Sequence, residues 1–198
     1  MDLLILQNKF IQNEYLFYLD KLRSIYAVMD QKYNEAANYY GFSCDGCKDN
    51  CCETIFYHHT LLEYLFILEG FKSLKNEKKT IIVNIAKQVS RDIELAESKK
   101  TILRRMCPVN FDGLCLLYDY RPMICRLHGI SHELTRPGKG KTHSPGCDEF
   151  MKQCSKMDRF IFDRTPFYKD MAALEKELRQ SVKISQKIKL TVAQMLAL

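Results

Sequence analysis

The stretch Cys44-Asp-Gly-Cys47-Lys-Asp-Asn-Cys51-Cys52 constrains the fold of this chain more than any other feature. It places four thiols within nine residues, a density that core packing does not explain, because buried free cysteines act as small hydrophobic side chains and have no reason to cluster. Gly46, Asp49 and Asn50 are turn-forming residues that can bend the backbone around a common centre. We therefore interpret this stretch as half of a thiolate metal site.

The adjacent pair Cys51 and Cys52 adds a geometric constraint to this interpretation. Neighbouring side chains point to opposite sides of an extended segment, and in a helix they diverge by about 100°. We therefore expect these two sulfurs to bind two metal ions, or two corners of a cluster, more readily than one tetrahedral ion.

Four more cysteines follow later in the chain and complete a second set. Two sets of four fit two thiolate sites or one cluster with extra ligands. The alternative is that the cysteines are buried free thiols, and this alternative has more weight for the second set than for the first. Cys154 has no evident partner, and we predict that it lies in the core or at the surface. The second set comprises Cys107, Cys115, Cys125 and Cys147.

Chain length and the start of the sequence favour metal binding over disulfide formation. A chain of 198 residues buries a core without cross-links, so its nine cysteines are not needed as staples. Neither a signal peptide nor an apolar run of about 18 residues is visible, and we expect a cytoplasmic protein with no membrane span. In a reducing compartment, clustered thiols bind metal more often than they form disulfides.

The remaining sequence predicts a mainly α fold, in which a helical scaffold carries a small irregular metal-binding lobe with a short β-hairpin. We expect one domain, with an N-terminal helical segment over 1–42, the cysteine-cluster region over 43–147 and a C-terminal helical segment over 148–198. Apolar periodicity and capping residues predict the helices. They are expected at Leu3 to Tyr40, Leu61 to Glu69 with a stop at Gly70, Asn76 to Lys100, Asp148 to Met157 and Pro166 to Gln180, with a loosely helical tail.

The segment between the third and fourth predicted helices has short apolar runs and turn residues in place of helical periodicity. Asp112-Gly113 between short apolar runs predicts a hairpin that brings Cys107 and Cys115 towards each other. A short helical turn is expected after Pro122, since proline is favoured at the first helical position. The glycines and prolines of Arg136 to Gly146 predict a loop.

These motifs together carry a family resemblance over roughly Ser43 to Cys147. The order Cys-x-x-Cys-x-x-x-Cys-Cys, Cys-Pro, Gly-x-Cys, Tyr-x-x-Arg-Pro-x-x-Cys-Arg and a late cysteine resembles the cysteine-cluster proteins described as zinc- or iron-chelating. This chain has three residues before the double cysteine, where many members have two. The matching positions are Cys44, Cys47, Cys51, Cys52, Cys107-Pro108, Gly113-Leu-Cys115, Tyr118, Tyr120, Arg121-Pro122, Cys125-Arg126 and Cys147.

The resemblance implies metal binding, for which the eight clustered cysteines are the candidate ligands, and implies little about what the metal is for. All-cysteine ligation suits zinc, which would have a structural role, and an iron-sulfur centre, which would have a redox role. A relative with this type of cluster, the flagellin lysine methylase, provides an alternative, a protein-modifying enzyme. No known catalytic motif supports an enzymatic activity: the sequence contains neither Gly-x-Ser-x-Gly nor His-Glu-x-x-His, and Gly140-Lys141-Thr142 lacks the rest of a phosphate-binding loop. Whether the protein is an enzyme is left open by the sequence.

Three residues near the second set are candidates for supporting roles. A cage of thiolates accumulates negative charge, and the guanidinium groups of Arg121 and Arg126 could offset it, although surface salt bridges explain them equally well. His128 is a minor ligand candidate, because Gly129 argues against a helix that would align it with His132.

The net charge of +6 raises the alternative of a basic nucleic-acid-binding protein. Ten basic residues stand against four acidic ones between Phe71 and Arg105. No aromatic residues interleave with these charges to form a stacking platform, so we favour a solvated helix surface. We expect a metal ion and a protein partner rather than nucleic acid.

Overall fold

The computed structural model describes residues 15–44, 47 and 50–197. Helices dominate these residues, and the only strands among them form two short antiparallel hairpins, which confirms the predicted mainly α fold with a short hairpin. The helices are α1 (Leu16–Tyr40), α2 (Leu61–Ser73), α3 (Asn76–Lys99), α4 (Met123–Leu127), α5 (Asp148–Cys154), α6 (Thr165–Val182) and α7 (Val192–Leu196). The strands are β1 (Asn110–Phe111), β2 (Leu114–Cys115), β3 (His132–Arg136) and β4 (Gly140–Ser144).

The described residues divide into two units, each assembled from separate stretches of chain. The first unit contains 50–122 and 183–197, and the second contains 15–44, 47 and 123–182. The consecutive regions expected from the sequence, 1–42, 43–147 and 148–198, do not coincide with these units. The cysteine-rich stretch is itself divided, because Cys44 and Cys47 belong to the second unit while Cys51 and Cys52 belong to the first.

In the first unit, α2 and α3 pack with the C-terminal helix α7. The predicted N-cap of α2 is present, since the Thr60 hydroxyl accepts the Glu63 N–H at 3.2 Å. Val89 and Ile93 of α3 form a buried cluster with Ala193 of α7. The tail before α7 is extended rather than helical, and Leu190 exchanges two backbone hydrogen bonds with His58, of 2.8 and 3.0 Å.

In the second unit, α1 packs against α4 and α6. Its inner face carries buried Leu19, Leu22, Tyr26 and Met29 at helical spacing. The helix ends at Gly41, which takes the left-handed conformation with φ of 59° and donates its N–H to Asn38 O. This end was predicted, whereas the part of the predicted helix from Leu3 to residue 14 lies outside the described residues.

Gly70 does not stop α2, contrary to the sequence-based prediction. The helix continues to Ser73, and Gly70 is buried within it against the ring of Tyr120. A Cβ at this position would lie only 2.5 Å from Cδ2 of that ring. The glycine is therefore required for a close approach between the helix and a ring, not for a turn.

A second hairpin replaces the loop predicted over Arg136 to Gly146. Strands β3 and β4 pair from His132 opposite Ser144 to Arg136 opposite Gly140, and Pro137, Gly138 and Lys139 form the turn. The prediction was wrong because turn residues were taken as evidence of a whole loop. Gly140 to Thr142 therefore belongs to a strand. The structure also shortens two predicted helices, since α5 ends at Cys154 and only Val192–Leu196 of the tail is helical.

We predict that Gly70→Ala lowers the free energy of unfolding by about 1 to 2 kcal/mol, because overpacking against Tyr120 outweighs the usual helix-propensity gain of alanine. Chemical denaturation measures this change. The matched control is a double-mutant cycle with Tyr120→Leu, in which removal of the ring should recover most of the loss. A Gly70→Ala protein as stable as the wild type would contradict the close packing described here.

Candidate metal centres

The hairpin of β1 and β2 positions the first candidate ligand. Asp112 and Gly113 have φ values of 52° and 83°, as a two-residue turn with positive φ at both positions requires, and the turn was predicted from this Asp-Gly pair. Cys115 pairs with Asn110 across the hairpin. The Asn110 N–H donates to Cys107 O at 3.0 Å and the Leu116 N–H donates to Val109 O at 2.9 Å, which continues the pairing back towards Cys107.

A short backbone pairing places Cys52 next to Cys107. Thr54 forms an antiparallel bridge with Arg104, and the Arg105 N–H donates to Glu53 O at 3.0 Å. The Cys107 N–H then donates to Cys52 O at 2.9 Å. Two cysteines that are far apart in sequence are thus held together by main-chain atoms.

The charges on the four thiols of this unit are coupled through Cys52. A hydrogen bond from the Cys51 thiol lowers the pKa of Cys52 to about 6, with further contributions from Asn110 and Arg121. Burial raises the pKa of Cys107 to about 12, and the neighbouring Cys115 and Cys52 raise it further. Burial also raises the pKa of Cys115, again with Cys52 as a neighbour. We call Cys51, Cys52, Cys107 and Cys115 the first cysteine group.

The expectation that the adjacent cysteines bind two ions, or two corners of a cluster, stays a prediction. Cys51 and Cys52 open a 3-10 turn, Cys51–Glu53, in which the Asn50 side chain accepts the Cys52 N–H at 3.0 Å. In this tight turn the Cys51 thiol lowers the pKa of Cys52, so the two thiols are electrostatic neighbours.

Arg121 supplies positive charge to the first cysteine group. Its guanidinium lies 3.6 Å from the centre of the Tyr118 ring, and its Nε donates to Tyr118 O at 2.8 Å. From this position it lowers the pKa of both Cys52 and Cys115. The arginine thus stabilises thiolate, as we suggested from the sequence.

The other four candidate ligands belong to the second unit, and we call Cys44, Cys47, Cys125 and Cys147 the second cysteine group. The Cys47 N–H donates to Cys44 O at 3.1 Å, which closes a turn. Cys125 lies in α4, and Cys147 caps α5, with its sulfur accepting the Phe150 N–H at 3.4 Å.

Contacts with α5 bring the start of the cysteine-rich stretch towards Cys147. The rings of Phe42 and Phe150 lie 5.2 Å apart, and Gln153 Nε2 donates to Ser43 O at 3.4 Å. Cys154, at the end of α5, is buried, and its sulfur lies 3.7 Å from Tyr40 O. Cys154 is thus a core residue, one of the two alternatives predicted for it.

The segment between Cys125 and Ile130 is fixed by several polar contacts. The Tyr33 hydroxyl donates to His128 O at 2.8 Å, and the Cys147 N–H donates to Gly129 O at 2.7 Å. Arg126, which is buried, pairs with Asp30 at 2.5 Å and stacks on Tyr26. Because a carboxylate balances its charge, Arg126 is a structural ion pair, the alternative role we considered for it.

Arg164 is a further member of this region that sequence analysis missed. It is 2% exposed, and its guanidinium donates to the backbone carbonyls of Leu127 and Ile130. Its Nε has no hydrogen-bond partner among the described residues. Burial lowers the pKa of Arg164 to about 10, so the group stays charged at neutral pH. Nothing in its Asp-Arg-Thr-Pro context distinguishes it from a surface arginine.

The histidines considered from the sequence lie apart from a common helix. His128 follows α4, and His132 begins β3 with its Nδ1 3.2 Å from Ile130 O. Burial lowers the pKa of His132 to about 4, so the ring is neutral at physiological pH. His58 is buried with its Nδ1 3.7 Å from Glu63 Oε1.

The cysteine groups supply the right donor chemistry for a thiophilic ion, but they are not closed cages. Within residues 15–44, 47 and 50–197, no three His, Cys, Asp or Glu side chains are arranged so that they could already hold a metal ion. All nine cysteines lie within these residues, and none of them forms a disulfide. Metal binding would therefore require the thiol side chains to rotate towards a common point.

Comparisons of the chain with protein-family models, curated proteins and solved structures found no match. Among the helices that the structure describes, none combines the length and apolar character needed to cross a bilayer. The features available for a functional proposal are therefore the cysteine groups and the residues around them.

We predict that alkylation of Cys52 in metal-free, reduced protein reaches half of its maximal rate near pH 6. Thiolate is the reactive form, and the lowered pKa means that Cys52 ionises above this pH, whereas Cys107 stays protonated until about pH 12. Peptide mapping by mass spectrometry after brief iodoacetamide treatment from pH 5 to 9 measures both sites. Identical pH profiles for Cys52 and Cys107 would contradict the coupled arrangement.

Proposed function

We propose that this protein binds metal through two thiolate centres, one formed by each cysteine group. The observation that carries the proposal is the position of Cys52, whose carbonyl accepts the Cys107 N–H at 2.9 Å and whose thiol has Cys51, Cys107 and Cys115 as electrostatic neighbours. Four thiols from three chain segments are then neighbours, and core packing does not account for their grouping. This donor set suits zinc and iron.

The contact between the adjacent thiols supports zinc as the first candidate. A tetrahedral zinc ion with Zn–S bonds of about 2.3 Å takes sulfurs roughly 3.8 Å apart, so neighbouring thiols can bind the same ion. Each iron of a [4Fe–4S] cluster takes one cysteine and separates its ligands further, whereas each iron of a [2Fe–2S] cluster takes two. An iron-sulfur centre with a redox role is the second candidate.

The charges around the first cysteine group fit a thiolate centre. Four thiolates around a divalent ion carry an excess of two negative charges, and Arg121 lies where it offsets part of this excess. Binding must also remove the protons of Cys107 and Cys115, whose pKa values are raised by burial. Metal affinity should therefore increase with pH.

The backbone supports assembly of the centre even though its side chains do not yet converge. The pairing of Cys107 with Cys52 and the β1–β2 hairpin fix the main chain at three of the four ligands. A metal ion would then need to reorient side chains only. Such a site gains affinity because little backbone entropy is lost on binding.

Purification under anaerobic conditions, followed by elemental analysis and a visible spectrum, tests the proposal. We expect a colourless protein with one zinc ion per centre. A brown sample that contains iron and sulfide would support the second candidate instead. Protein from cells that contains neither metal, and that binds none after reduction, would overturn both.

We predict that Cys52→Ala and Cys125→Ala each remove the metal of one centre and leave that of the other, because the two residues belong to separate units. The double variant should retain no metal. Cys154→Ala is the matched control, since this buried thiol belongs to neither group, and it should keep full occupancy. Loss of all metal from either single variant would indicate one shared centre.

A further inference from the structure

The guanidinium of Arg164 is a buried positive charge without a carboxylate partner in the described part of the chain. It contacts the carbonyls of Leu127 and Ile130 and the ring of Phe162, whose centre lies 5.3 Å from Cζ. Its Nε–H has no acceptor among the described residues. An isolated buried charge is costly, so such a group normally has a nearby anion.

Two acidic residues adjoin Arg164, Asp163 along the chain and Glu133 through a backbone hydrogen bond, and both carboxylates are engaged. The Arg164 backbone N–H donates to Glu133 O at 2.9 Å, but the Glu133 carboxylate forms ion pairs with Arg159 and Lys141. The Asp163 carboxylate accepts the Thr165 N–H at 2.9 Å. The other titratable side chains that act on the guanidinium or respond to it are not carboxylates: they are Tyr168, Tyr33 and His132, and burial lowers the pKa of His132 to about 4.

The position of Arg164 connects it to the second cysteine group. The two carbonyls that it binds flank Gly129, and Gly129 O accepts the Cys147 N–H at 2.7 Å. Leu127, whose carbonyl is one of the two, follows Cys125 by two residues in α4. Arg164 is thus joined by short main-chain paths to two of the four candidate ligands.

We propose that Arg164 is the buried counter-charge of the second thiolate centre. This inference rests on the proposed function, because the anion that it requires is the excess negative charge of metal-bound Cys44, Cys47, Cys125 and Cys147. The low dielectric of a buried site strengthens this attraction, so that one charge alters metal affinity substantially. Arg164 is a positioning residue in this role and not a ligand.

A simpler role for Arg164 is to hold the 127–130 segment through its two hydrogen bonds. The two roles predict different effects for variants that separate charge from geometry. Arg164→Lys keeps the charge but loses the forked donor geometry, whereas Arg164→Gln keeps donors and loses the charge. A counter-charge makes the glutamine variant the weaker metal binder, and a purely geometric role does not.

Titration of the full chain with Co²⁺ tests the proposal. The titration uses a Cys51→Ala/Cys52→Ala background, so that only the second centre is observed through its sulfur-to-cobalt charge-transfer absorption. We expect Arg164→Gln to weaken the cobalt affinity at least about ten-fold and Arg164→Lys to weaken it no more than about three-fold. Arg179→Gln is the matched control, because Arg179 pairs with Glu175 on α6 and its loss should leave the affinity unchanged.

Thermal unfolding with and without cobalt provides a second readout. If Arg164 is a counter-charge, Arg164→Gln reduces the increase in Tm on cobalt binding, measured against the metal-free form of the same variant so that any loss of its two carbonyl hydrogen bonds cancels. Arg164→Met, a second neutral variant, should show the same pattern and replaces Arg164→Gln if that protein does not fold.

The outcomes separate this inference from the proposed function. Equal loss of affinity in the lysine and neutral variants, or unchanged affinity in the neutral variants, would overturn the role of Arg164 while metal binding stands. A background protein with intact Arg164 that binds no cobalt would overturn the second centre itself, and the inference with it.

Discussion

The backbone pairing of residues 52–54 with residues 104–107 is the interaction on which the first cysteine group depends. It brings together two stretches of chain that are separated by α2 and α3, and it does so through main-chain hydrogen bonds that do not require any particular side chain. The 3-10 turn at Cys51 and the β1–β2 hairpin then add the remaining two thiols. The first cysteine group is therefore assembled by ordinary backbone structure.

The second cysteine group uses a different device, a single irregular segment fixed by side chains from other elements. Tyr33, Arg164 and the Cys147 backbone all bind carbonyls between Leu127 and Ile130. These contacts satisfy carbonyls that a short helix leaves without partners. The same contacts leave the Arg164 guanidinium buried, and a buried charge normally has an anion nearby. The thiolates of the second cysteine group are the anion that we propose.

Local signals in the sequence were sufficient for most of the fold. The Thr60 cap, the Gly41 stop and the Asp112-Gly113 turn each act through their nearest neighbours, and each was found where it was predicted. Gly70 and the β3–β4 hairpin were missed because their roles depend on partners distant in sequence, the Tyr120 ring in one case and strand pairing in the other. The local sequence is compatible with a helix that stops or continues at Gly70, and with a loop or a hairpin over residues 136–146.

The candidate site shows the same limit. The density of cysteines singled out eight thiols as candidate ligands, but the sequence left open which of them share a centre. The structure places Cys51 and Cys52 in one unit with Cys107 and Cys115, and Cys44 and Cys47 in the other with Cys125 and Cys147. Which cysteines become neighbours is decided by long-range pairing, and so is the burial of Arg164, which the identity of the residue does not reveal.

X-ray absorption spectroscopy at the zinc edge of the protein as purified tests the central claim most directly. The account predicts a first shell of four sulfurs at about 2.3 Å around each ion, with no metal–metal scattering because the centres are separate. A shell with nitrogen or oxygen replacing part of the sulfur would contradict the ligand assignment, and a clear metal–metal peak would show that the cysteines share one cluster.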